Sequence, residues 1–106
     1  MVFQINDTQW ILKFVKLNSK ELRRSDGSYT FGVTDNTEKT IFIASGMTTY
    51  MTERVLCHEL THCICFEYGI FLPLEMEEQL CNFMANYGKE IIYLLDNLLG
   101  TLQKFA

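Results

Sequence analysis

Residues 49–69, TYMTERVLCHELTHCICFEYG, decide how the rest of the chain is read. Met51, Val55, His58, His62 and Cys65 recur at spacings of three and four, so they share one face of a helix. The hydroxyls of Thr49 and Thr52, with the acid Glu53, mark its start, and Gly69 followed by Pro73 marks its end. Inside it, His58-Glu59-Leu60-Thr61-His62 has the form H-E-x-x-H. Residues i and i+4 project side by side on a helix, so two imidazoles can reach one metal ion. Glu59 lies about 100° further round, beside such an ion and not among its ligands. There it can take a proton from a water that the metal acidifies. These two histidines are the only ones in the chain and lie on a face expected to be buried. A shared metal is the simplest partner for both.

A catalytic zinc keeps three protein ligands and one open position. With no third histidine, the third ligand must be a carboxylate or a thiol. Glu75, Glu77 and Glu78 open the next helix after a short turn, where an antiparallel helix would pass back beside the first. Glu78 is the expected ligand, with Glu77 and Glu75 as alternatives, because Asn82 follows Glu78 at i+4 and would sit by the metal, hydrogen-bonding a ligand histidine to fix its ring. The plainer reading of the three acids is that they favour a helix N-terminus. Cys65, one turn past His62, is the thiol that could approach. The simpler expectation is that Cys57, Cys63, Cys65 and Cys81 are all reduced core residues.

That second helix is expected from Leu74 or Glu75 to about Leu99, with Gly100 after it. Leu80, Phe83, Met84, Tyr87, Ile91, Leu94, Leu95 and Leu98 form one broad apolar stripe, which suits a homodimer contact. The opposite face, Glu78, Asn82, Ala85 and Gly88, is mostly small and lets another helix approach closely.

Upstream of the motif the pattern turns to β. Residues 10–17 (WILKFVKL), 29–34 (YTFGVT) and 40–45 (TIFIAS) read as strands, separated by the turn signals SDGS at 25–28 and DNTE at 35–38. The last two strands are close enough to form an antiparallel hairpin. The chain is therefore expected to be α+β, a single domain over residues 1–106 with a small antiparallel sheet packed on the motif helix and a C-terminal glutamate helix. If the strand at 40–45 is a sheet edge, an extended peptide could pair with it.

A net charge of −4 and a pI near 5.0 argue against nucleic acid as the main partner. No run approaches a membrane span and the first residues do not form a secretory signal, so a cytoplasmic location is expected. In a chain of 106 residues a bound metal would also help hold the fold together.

HELTH at 58–62, followed by Glu78-Gln79-Leu80-Cys81-Asn82-Phe83-Met84-Ala85, resembles the ImmA/IrrE-like zinc metallopeptidases of phages and mobile elements. That family combines HExxH with a helix reading roughly E-x-E-A-N-x-F-A. Asn82 and Ala85 match directly, Cys81 and Met84 are small and apolar substitutes, and Leu80 replaces the second acid, so position 80 cannot be a ligand. The resemblance covers residues 40–93. It implies a minimal zincin-like fold of gluzincin type, a zinc ion held by His58, His62 and Glu78, and Glu59 as general base. It also implies hydrolysis of a peptide bond in a cytosolic protein such as a repressor of the element. Larger family members carry a DNA-binding or sensor domain, for which this chain has no room. Tyr50, Tyr68, Tyr87, Tyr93 and Arg54 are the candidates for stabilising the oxyanion. The alternative is a catalytically inactive, zinc-stabilised protein-interaction module. The same ligands also suit other divalent ions.

Overall fold

The computed structural model describes residues 1–105, and the chain folds as α+β. Four strands, β1 (Val2–Ile5), β2 (Thr8–Val15), β3 (Gly32–Asp35) and β4 (Thr40–Ala44), form one sheet in the order β1-β2-β4-β3. The hairpin expected from the second half of the sheet is present: β3 and β4 pair antiparallel, Val33 opposite Phe42. The sheet as a whole is mixed and not purely antiparallel, because β2 and β4 run parallel with Ile11 opposite Thr40. The chain leaves β2, passes through a 3-10 turn (Lys20–Leu22) whose buried Leu22 packs against β3 and β4, and forms β3 before returning as β4. A strand that returns this way enters beside β2 in β2's own direction.

β4 is therefore central. Ile41, Ile43 and Ala44 are fully buried, as suits a strand paired on both sides. The strand beside the cleft with a free edge is β3, which corrects the expectation for residues 40–45. The sequence reading also passed over β1. Its turn is two residues long, and Asn6 takes φ +53°, a conformation asparagine tolerates.

Helix α1 (Thr49–Glu67) lies across one sheet face. The cap is Thr48, one residue before the expected Thr49, its hydroxyl accepting from the Met51 amide at 3.2 Å, and Glu53 falls beyond the first turn. At the other end Gly69 adopts φ +64° and the Ile70 amide bonds back to the Cys65 carbonyl, closing the helix with a left-handed residue as the glycine led one to expect. The core joins Ile5, Trp10, Leu12, Ile41 and Ile43 of the sheet to Cys63 of α1, with Val55, Leu56 and Leu60 partly buried against them. Each such aliphatic side chain contributes about 1.5–3 kcal/mol when fully buried.

Pro73 precedes α2 (Leu74–Phe83), which turns back along α1. The helix does not stop at Gly100. A π turn (Met84–Gly88) leads directly into α3 (Lys89–Phe105), whose backbone runs through the glycine. Ile91, Ile92, Leu94, Leu95 and Leu98 are about half exposed, and among the described residues α3 has few contacts beyond the π turn it continues. No described helix is long and apolar enough to cross a membrane.

Candidate metal centre

α1 brings His58 and His62 together as the i, i+4 spacing requires, with ring centroids 5.1 Å apart. α2, arriving antiparallel, lays Glu78 across both rings. Its Oε2 lies 3.2 Å from His58 Nε2 and its Oε1 2.9 Å from His62 Nε2. Glu77 reaches the other side of His62, with Oε2 2.6 Å from Nδ1. If Nδ1–H donates to Glu77, the neutral ring directs the bare Nε2 lone pair at a Glu78 oxygen. Two lone pairs at 2.9 Å repel unless a proton or cation lies between them. Ligand atoms at about 2.0–2.2 Å from a shared tetrahedral zinc would sit roughly 3.3 Å apart, close to what these atoms show. The donor set therefore fits a divalent metal ion.

A thiol is present as well. One ligand atom from each of His58, His62 and Cys81 lies within 4.8 Å of the others, so this group could hold a metal ion. Two candidates thus compete for third ligand. Burial pushes the Cys81 thiol up to about 12, and nearby Glu78 adds to the shift, so the free thiol holds its proton. Glu78 is nearly half exposed and already touches both rings, which makes it the more accessible donor. Cys65 sits in the core, as do Cys63 and Cys81, while Cys57 is half-buried; none forms a disulfide.

Glu59 is buried beside the rings, its Oε2 3.9 Å from His58 Nε2. The Thr34 hydroxyl, on β3, is 2.9 Å from Glu59 Oε1. Burial raises the carboxyl above its ordinary value, against the opposing effects of the Thr34 hydrogen bond and the two histidines. β3 can come this close because position 32 is glycine. A Cβ there would lie 2.7 Å from Val55 Cγ1 and 3.1 Å from Glu59 Cγ. The isolated glycine inside YTFGVT was the available signal for this close approach, and with it for Thr34.

Asn82 lines the same cleft, exposed, but makes no hydrogen bond to either ring. At His62 the orienting position expected of it is occupied by Glu77, one of the two alternative ligands. Glu75 is exposed in the first turn of α2. Of the five oxyanion candidates only Arg54 lines this cleft, a cavity of about 690 Å³ between β3 and the α1–α2 pair. Comparison of the sequence with models of known protein families finds no match, and comparison with curated proteins finds none.

Proposed function

We propose that the chain is a zinc metallopeptidase in which His58, His62 and Glu78 hold the ion and Glu59 is the general base. The observation that carries this reading is Glu59. A metal site serving only to stabilise the fold has no use for a carboxylate held beside the ligands in a desolvated position, where burial costs stability. The resemblance of HELTH and the α2 residues to the ImmA/IrrE-like peptidases supports the same reading, and points to a cytosolic repressor of a phage or mobile element as the kind of protein cleaved.

When bound, the zinc ion would polarise the scissile carbonyl and acidify a water. Glu59, buried beside the ligand histidines, would hold the proton given up by the attacking water and deliver it to the leaving amine. Thr34 fixes the Glu59 carboxyl, and Glu77 fixes the His62 ring. The free edge of β3 runs beside the cleft and offers backbone donors and acceptors to an extended substrate.

A second reading has its own support. The apolar stripe of α3 is exposed, as expected of a metal-stabilised module that binds a partner or a second copy through its last helix. Zinc-loaded chain and its Glu59→Gln variant, each incubated with a broad peptide library and scanned for new termini, separate the two. Cleavage by the wild type alone, with equal zinc in both proteins, supports the peptidase. Bound zinc without any Glu59-dependent cleavage would sink it in favour of the module.

A further inference from the structure

We infer that the end of the cleft formed by Arg54 and Arg24 binds a carboxylate of the peptide substrate, carried within about two residues of the scissile bond. The inference rests on the peptidase reading and adds the substrate's chemistry to it. Both arginines line the cavity that contains His58, Glu59, His62 and Glu78. Arg54 stands on α1 one turn before His58. Arg24 stands on the segment leading to β3 and donates to Thr30 Oγ1 at 3.3 Å. Both lie at one end of the cleft: Gly32, at the start of β3, faces Val55, while Thr34 faces Glu59 further along α1.

Neither guanidinium is paired with a carboxylate within 4.0 Å among the described residues. Arg54 donates to two neutral oxygens, Tyr50 Oη at 3.0 Å and Asn86 Oδ1 from the π turn. The neighbouring acid Glu53 pairs with Lys89 instead. Asp26, the acid nearest to Arg24 in sequence, binds the Ser28 amide and hydroxyl through Oδ1. Glu59, Glu77 and Glu78 all gather at the histidines, whereas no carboxylate among the described residues touches either guanidinium; Asp26 feels Arg24 only at longer range. Five fixed donors on each make arginine suited to a carboxylate, and Arg54 uses only part of its set. Four residues of helix separate Arg54 from His58, about 6 Å along the axis. An extended peptide advances about 3.3 Å per residue, which gives the two-residue reach.

The carboxylate can come from an Asp or Glu side chain or from the peptide's own C-terminus. Short peptide hydroxamates distinguish these sources without a known substrate, because the hydroxamate binds the metal directly. Three probes suffice: one with Asp and an amidated end, one with Ala and a free carboxylate, and one with Ala and an amidated end. They are made with the peptide on either side of the hydroxamate; the free-carboxylate probe belongs to the series extending toward the C-terminus. Calorimetry on the zinc-loaded chain is expected to show at least tenfold tighter binding of a carboxylate probe than of the neutral one. That preference, taken in each protein relative to the neutral probe on the same protein, should fall several-fold in Arg24→Gln and vanish in Arg54→Gln. Equal affinity for all probes in the wild type overturns the inference and leaves the peptidase reading standing. A preference that survives in Arg54→Gln and Arg24→Gln also overturns it. Failure of every hydroxamate to bind zinc-loaded chain rejects the peptidase reading itself.

Discussion

Two of the three glutamates of helix α1, Glu59 and Glu67, stand eight residues apart, and their surroundings treat them in opposite ways. Glu67 receives Lys39 Nζ at 2.7 Å and Trp10 Nε1 at 3.0 Å, and the Lys39 bond, helped by Thr8, holds its carboxyl below the ordinary value. Glu59 has one hydroxyl and no lysine or arginine partner among the described residues, and burial raises it. Glu67 joins the helix to the sheet as an anion that the fold welcomes. Glu59 is an anion that the fold tolerates. On one helix the same side chain is favoured as an anion where a cation meets it, while burial favours the protonated form where none does, a contrast that the proposed general-base role of Glu59 would use.

The largest test of that contrast is a pair of substitutions. Glu59→Gln should lower peptide hydrolysis by about 10²–10⁴-fold with metal content unchanged, and should raise the melting temperature of the metal-free chain, since a buried charge is replaced by a neutral amide. Glu67→Gln should leave hydrolysis and metal content alone. A hydrolysis loss in both variants would erase the distinction.

Glu77→Gln sharpens the comparison on the metal side. It keeps a hydrogen-bonding group at His62 Nδ1 but removes the charge, and zinc affinity measured by competition with a chelator should fall about 10–100-fold. Unchanged affinity would mean that the 2.6 Å contact does not orient the ring. Gly32→Ala should destabilise the chain by about 1–2 kcal/mol in urea unfolding, because the added methyl forces β3 away from Val55 and Glu59. The smallest effect is in the pH dependence of Glu67. Its lowered carboxyl contributes stability above the ordinary glutamate value of 4.5, and that contribution is lost as pH falls through the lower folded value. Urea midpoints below pH 4.5 should therefore decline more gently in Glu67→Gln than in the wild type.

The α1 helix and its closing glycine were legible because local sequence dictates them: a period of three and four, a hydroxyl start, and a residue free to take positive φ. His58 and His62 were legible for the same reason, since i, i+4 geometry does not depend on the rest of the fold. The α+β class followed from the change of period near Thr48. What eluded the sequence is set by tertiary contacts. Nothing local in TIFIA says that β4 pairs parallel with β2, because strand order depends on where a crossover lands. Glu77 and Glu78 are adjacent acids with similar propensity, and only the angle at which α2 meets α1 directs one to His62 Nδ1 and the other across both Nε2 atoms. Asn82 is one helical turn from Glu78, yet its amide reaches neither ring, and at His62 the Nδ1 is held by Glu77.

The π turn at Met84–Gly88 has a bearing on how the molecule could change over time. Such a turn holds one residue more than an α-helical turn, so everything beyond it is set back by about 100° around the axis. It behaves like a tuning peg in a continuous rod. Loss of one residue there would restore a plain α-helix and swing the apolar stripe of α3 to a new bearing, while Glu78, upstream, kept its place against the histidines. The direction in which the last helix is presented is thus adjustable while Glu78 keeps its contacts with the two histidines.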